Sequence, residues 1–334
     1  MRHSIRAAVL AAVPLLALGT LSACGSSQPE QTGGGWTYTD DRGITVSRPE
    51  RPQQVVAQVS AGAALQDFGV EIAGTFGPLV RDDGSVEPEA GGLDPRQVVD
   101  VTGAGYGEVN LERLASLHPD LLVSGKYAEY PGLWHLVEDQ EQKVVEIVPT
   151  LGVQQSGIAL PEAIGKYREL ARALGADVDS PAVEADEQAF HAAAGRLRDI
   201  GTRMKAEGKS ILAVGGTEQE FFVVVPARNP DLAYYVEELG LPITTPRNPD
   251  QAGGGYFERL SWEKAGAYPA DVYLWDARSA SMPPQQMKQN PVFAATPAAA
   301  AGRFAAWEAV APMSFSSYAG IMNRLADQLE ANLA

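Results

Sequence analysis

The sequence predicts an α/β protein of two lobes, each with a central, mostly parallel sheet, joined by a single long rigid helix. Three observations predict it. Short apolar runs alternate with helical patterns through the first half of the chain. A wholly helical stretch occupies the middle. The strand-and-helix alternation then resumes, and one of its phrases repeats in the second half.

The N-terminus comes first and reads as an export signal. Arg2 and Arg6 precede an apolar stretch, Ala7 to Leu18, broken only by Pro14. That run is shorter than the roughly 20 apolar residues a membrane span needs, and it ends in small residues. Leu21-Ser22-Ala23-Cys24 is similar to a bacterial lipobox, and Cys24 is the only cysteine in the chain. Residues 1–23 are therefore expected to be a lipoprotein signal and Cys24 the lipidated residue that holds the chain to the outer face of a membrane. Residues 24–35, rich in Gly and Ser, read as a flexible tether. A lone cysteine also excludes an intramolecular disulfide and a Cys-based metal centre.

The first lobe, expected over 36–158, opens on a hairpin pattern: Trp36–Thr39 and Ile44–Val46 flank Asp40-Asp41-Arg42-Gly43. A strand follows at Val55–Ala57, a helix at Ala61–Phe68 closed by Gly69, and a strand at Ile72–Thr75. Asn110 caps a helix over Leu111–Leu117 that Pro119 stops, and the apolar run Leu121–Ser124 suits a buried parallel strand. Trp134–Gln142 reads as helix and Lys143–Val148 as strand. In the connector, expected over 159–176, apolar residues from Leu160 to Leu174 fall at helical spacing up to Gly175. A second helix starts at Pro181 and runs to about Met204, inside a second lobe expected over 177–334. Strands follow at Ser210–Val214, Phe221–Val225, Asp271–Asp276 and Ala305–Val310. Helices are expected at Asp231–Leu239, Leu260–Ala267 and Ser317–Leu333. The phrase from Asn110 to Val123 is echoed from Leu260 to Leu274, each reading as helix, proline, acid and buried strand.

Charge and missing motifs limit the function. Removing residues 1–23 takes two of the 26 Lys+Arg and none of the 42 Asp+Glu, so the formal charge moves from −16 to −18. Such acidity disfavours nucleic acid as a partner. No G-x-S-x-G, HExxH, P-loop or CxxC occurs. A lipid-anchored hydrolase would need its base from His118, His135 or His191, none of which has a convincing nucleophile nearby in sequence. The same three histidines lack ligand spacing, so bare metal is not expected as cargo. Gly103-Ala104-Gly105-Tyr106-Gly107 lacks the helix and the acid of a dinucleotide loop and reads as a cleft loop.

Val109-Asn110-Leu111-Glu112-Arg113-Leu114-Ala115-Ser116-Leu117-His118-Pro119-Asp120-Leu121-Leu122-Val123 resembles a signature of the iron–siderophore and vitamin B12 periplasmic binding protein family. The resemblance covers the chain from about Arg42 to the last helix. It implies two lobes on a helical backbone that move little on ligand capture, no enzymatic activity, and no resident cofactor, iron entering only within a bound siderophore. It also implies delivery of that ligand, by a monomer, to an ABC permease. Family members dock through one exposed glutamate per lobe, and Glu129 and Glu263 match those places, with Glu258 competing for the second. Corrinoid or haem remain alternative ligands of the same fold.

Sites on α/β lobes lie beyond the carboxyl ends of strands. In the first lobe that rule selects Ser60, Phe76, Tyr106, Lys126 and Tyr127, and in the second Arg228, Trp275, Arg278, Phe315 and Tyr318. Where some siderophore binders place an arginine, Tyr106 supplies a neutral donor. Aromatic rings with few cations suit a bulky, weakly charged chelate, and so favour a hydroxamate over a catecholate.

Overall fold

A single carboxylate builds the turn through which the chain enters the fold. Asp40 accepts the backbone N–H groups of Arg42 and Ile44, and Gly43 takes the positive φ of the turn. This closes the antiparallel hairpin of β1 (Trp36–Thr39) and β2 (Thr45–Arg48). The computed structural model describes residues 35–333. The signal segment, Cys24 and all of the tether but Gly35 lie outside the described residues.

The first lobe contains β3 (Val55–Gln58), α1 (Val59–Asp67), β4 (Gly74–Phe76), β5 (Val99–Asp100), α2 (Leu111–Ser116), β6 (Leu121–Lys126), α3 (Glu138–Val145) and β7 (Thr150–Gln154). Its sheet is wholly parallel, in the order β5-β4-β3-β6-β7. Val55–Ala57 and Leu121–Val123 are buried on both faces, which is why they read as unbroken apolar runs. Asn110 caps α2 by accepting the Arg113 N–H at 3.0 Å.

Two helices, α4 (Leu160–Ala173) and α5 (Pro181–Ala206), lead to the second lobe. That lobe holds β8 (Ile211–Gly216), β9 (Phe221–Val224), α6 (Pro230–Glu237), β10 (Phe257–Leu260) and β11 (Val272–Asp276). Three short helices follow, α7 (Pro284–Met287), α8 (Pro291–Ala294) and α9 (Pro297–Ala300), then β12 (Phe304–Trp307) and α10 (Phe315–Leu333). Its sheet has the order β10-β9-β8-β11-β12. Here β8, β11 and β12 are parallel, while β9 runs against both of its neighbours. The expected parallel character therefore holds fully in the first lobe and for half of the pairings in the second.

The two sheets share one order: third, second, first, fourth, fifth strand of the lobe. The repeated acids do the same work in each. Asp120 accepts the N–H groups of Gln53 and Gln54 beside β3, and Asp271 accepts that of Ser210 beside β8. Each acid thus ties the entry to the fourth strand to the entry of the first.

Three local expectations are corrected. The helix expected at Trp134–Gln142 lies at Glu138–Val145, and the strand expected at Lys143–Val148 lies at Thr150–Gln154. Val144 and Val148 are four residues apart and fill the core under α2, a spacing that a short apolar run cannot distinguish from a strand. Leu260–Ala267 is the end of β10 plus a single 3₁₀ turn, Trp262–Lys264, whose indole packs on Phe221 and Phe293. Finally, both helices expected between the sheets are present, but the long one is the second and not the connector expected over 159–176. The longer is α5, about 39 Å at 1.5 Å per residue, packed along α10, whereas α4 touches α1, β7 and α6.

Candidate ligand-binding cleft

The shared strand order fixes where a cleft forms. In each sheet the chain leaves the first strand in one direction and the fourth in the other, opening a crevice beyond their carboxyl ends. Gln58 ends β3, Tyr127 follows β6, and Ala277 and Arg278 follow β11. The cleft has two adjoining chambers, of about 560 Å³ and about 120 Å³, and the walls of both include Trp134 and Arg278.

The larger chamber is a carboxylate-lined space with one central cation. The Arg278 guanidinium bonds Asp276 at 2.7 Å and lies 3.8 Å from Glu89. Burial by itself would lower its pKa, but Asp276 and Glu89 outweigh that and keep it charged. Glu89 is only 2% exposed. Burial pushes its carboxyl up to about 8 despite the nearby Arg278, so at neutral pH it is mostly protonated. The ring of His135 lies 3.8 Å from the same carboxyl. Burial and the Arg278 charge hold that imidazole down at about 4, so the contact joins two neutral groups and is not an ion pair. Glu87, also in the wall, accepts Arg81 Nε at 3.2 Å and the Ser279 N–H at 3.3 Å, while Arg81 donates to the Ala277 carbonyl at 2.6 Å. Those bonds tie the lobes together at one side of the cleft.

Tyr106 covers this chamber from the Gly-rich loop. A Cβ on Gly103 would come within 2.6 Å of Glu108, whose carboxylate accepts the Gly105 N–H. Glycine permits that tight turn, which leaves the Tyr106 ring 71% exposed and 5.1 Å from that of His135.

The smaller chamber is aromatic. Tyr127 packs on Trp134 at 4.6 Å, and Tyr130 stacks on Tyr256 at 5.8 Å across the lobes. Tyr318 and Trp307 help close the inner end, where the Trp307 indole donates to Asp231 at 2.7 Å. Burial raises the Asp231 carboxyl to about 6. Backbone strain also gathers at the cleft. Of three non-glycine residues with positive φ among those described, His135 lines the larger chamber and Val310 the smaller. Such conformations cost on the order of 1–3 kcal/mol and collect at functional sites.

The cleft brings together Tyr106, Tyr127, Arg278 and Tyr318 of the residues selected from sequence. It does not include the others. Ser60 is fully buried in the first turn of α1, its hydroxyl donating to Gln58. Phe76 lies in the core with Val101 and Leu122. Phe315 packs edge-on against Phe68 and Phe190, and Lys126 borders neither chamber. Trp275 shares its face of β11 with Tyr273 and packs on the outer core of the second lobe. Strand-end position selects a height on the sheet but not a face: Phe76 and Trp275 turn to other cores, and Ser60 and Phe315 are buried in the helices that begin there.

Arg228, expected as a ligand contact, and Glu129, expected as a docking residue, form an interlobe ion pair at 3.0 Å, and Glu129 also accepts the Tyr256 hydroxyl at 2.6 Å. Neither lines a chamber. Glu258 is buried, accepting the Tyr268 hydroxyl and the N–H groups of Arg247 and Asn248. Glu263 is exposed on its 3₁₀ turn. Sequence reasoning missed Glu87, Glu89, Trp134, His135, Tyr130 and Tyr256. Tyr130 before Pro131-Gly132 carried a usable signal, an aromatic ring on a turn; the two glutamates sit at a single 3₁₀ turn, Pro88–Ala90, too short to show a period, and carried none. Among the described residues, no three His, Cys, Asp or Glu side chains are grouped to hold a metal ion.

The sequence profile of the periplasmic binding proteins matches residues 56–311. The chain belongs to that family. Family members are extracytoplasmic substrate-binding proteins rather than enzymes, and so is this chain. No helix among the described residues is long and apolar enough to cross a membrane. The structure is similar to that of DesE, a ferric-siderophore receptor protein from Streptomyces coelicolor. Identity is 32% and the TM-score 0.80, covering 88% of this chain and 98% of that one. The fold is also similar to that of BauB, a siderophore binding protein solved with two molecules of acinetobactin and ferric iron. There identity is 16% and the TM-score 0.62, over 88% of this chain and 98% of that one. The catecholate-siderophore binding protein VctP of Vibrio cholerae shares the fold at 17% identity and a TM-score of 0.57, over 89% and 99% of the two chains. No curated protein sequence matches the chain.

Proposed function

We propose that this protein captures a ferric siderophore of the hydroxamate type in the interlobe cleft and delivers it to an ABC permease while anchored to the membrane by a lipid on Cys24. The observation that carries the ligand class is the charge of the cleft. Among the described residues its one Lys or Arg is Arg278, already paired with Asp276, and Glu87, Asp100 and Glu108 add carboxylates to the wall while Glu89 is mostly neutral. A ferric tris-catecholate is multiply anionic and would enter against those carboxylates, whereas a ferric tris-hydroxamate core is neutral. A cavity of about 560 Å³ is in the range of small-molecule sites. The likeness to DesE, at 32% identity, supports a ferric siderophore independently.

Tyr106, Tyr127, Arg278 and Tyr318 are the sequence-selected residues in position to touch this ligand. Glu263 remains the docking contact of the second lobe, being exposed. The function is tested by equilibrium binding to ferric trihydroxamate, ferric tricatecholate, vitamin B12 and haemin. The trihydroxamate should bind at submicromolar concentration and the tricatecholate at least tenfold more weakly. Tight binding of the corrinoid or haem alone would overturn the ligand assignment.

A further inference from the structure

Among the described residues that line the cleft, one buried side-chain donor has no partner. The indole Nε1 of Trp134 is buried and makes no hydrogen bond. Buried donors are almost always paired, and leaving one unpaired is costly. Trp134 stands in the walls of both chambers, at their junction.

The second observation is size and lining. At about 120 Å³ against about 560 Å³ for its neighbour, the aromatic chamber is the smaller of the two. The larger one suits a chelate core and the smaller one a chain extending from it. Tyr127, Tyr130 and Tyr256 give this chamber aromatic walls, and its charged residues are already engaged, Asp231 by Trp307 and Arg278 by Asp276.

We propose that the aromatic chamber is a subsite for a pendant arm of the bound chelate, and that Trp134 donates its indole N–H to a carbonyl oxygen of that arm. The proposal rests on the ferric-siderophore reading and adds a specificity to it. The larger chamber takes the iron-bearing core, and the smaller one selects linear chelates that carry a short arm over macrocycles that have none. Trp134 is then a specificity-determining residue at the boundary.

The probes are ferric N-acetyl-desferrioxamine B, a linear trihydroxamate ending in an amide arm, and the macrocyclic ferrioxamine E. Their affinities are measured by calorimetry on wild type, Trp134→Phe and Tyr130→Ala, with folding checked by circular dichroism. Tyr130 is 41% exposed, so its removal leaves the core intact if Trp134→Phe does not fold. Wild type should prefer the linear complex by roughly tenfold, the worth of one net hydrogen bond with its apolar contacts. Each variant should reduce that preference severalfold. Equal affinity for the two complexes in wild type, or an unchanged preference in both variants, overturns the subsite and leaves the ligand class standing. Binding of neither complex overturns the ligand class and the subsite together.

Discussion

Glu89 and His135 set opposite pH dependences within a few ångströms of each other. The Glu89 carboxyl sits at about 8 in the fold and near the ordinary value of about 4.3 when unfolded. Its pKa is raised, so its contribution to stability is complete below about pH 4.3 and is lost as pH rises through 8. For His135 the folded value is lowered to about 4 from about 6.5, so stability is lost as pH falls through that interval. Thermal unfolding of Glu89→Gln should accordingly show a flatter profile between pH 5 and 8.5 than wild type; an unchanged slope would mean that Glu89 is ionised in the folded protein. Neither role was legible in the sequence. An acid in the loop Ser85–Gly92 has no period to reveal its burial, and His135 reaches the cleft only because its backbone takes φ of 58°. Arg278 was legible, because it follows an apolar strand at the height where a cleft forms.

Among the elements, strands were easier to read than the helices beside them. Continuous apolar runs identified β3, β6, β8 and β11, and the acids Asp120 and Asp271 marked equivalent places in the two sheets. The helix read into Leu260–Ala267 failed because Trp262 is held by Phe221 and Phe293, a tertiary contact that local spacing cannot show. The loop after β6 meets the turn after β9 and the residue before β10 at Glu129, Arg228 and Tyr256. Glu129→Ala should cost about 1–3 kcal/mol in urea unfolding, because it leaves the Tyr256 hydroxyl and the Arg228 guanidinium without their acceptor. A change below about 0.5 kcal/mol would show that water replaces the carboxylate there.

For the whole molecule, the lobes share one continuous apolar core. It runs from Val55 and Leu65 through Tyr167, Phe190 and Leu197 to Leu232, Leu274 and Met322. Separating the lobes by a large angle would open that cluster to water, at roughly 25 cal/mol for each Å² of apolar surface exposed. The 26-residue helix α5 is also unbroken, and a continuous helix does not absorb the backbone changes that large closures need. The radius of gyration from small-angle scattering should therefore change by less than about 1 Å on ligand capture; compaction of several ångströms would contradict a helical backbone of this kind.

The central claim is that a ferric chelate occupies the chambers between the lobes, and tryptophan fluorescence tests it most directly. Trp134 lines both chambers, whereas Trp275 packs on the outer core of the second lobe. Titration with a ferric trihydroxamate should quench wild type and Trp275→Phe to a similar extent, and the quenching should fall in Trp134→Phe to what Trp307 at the end of the smaller chamber still reports. Quenching that survives undiminished in Trp134→Phe and is lost in Trp275→Phe would place the ligand elsewhere and contradict the account.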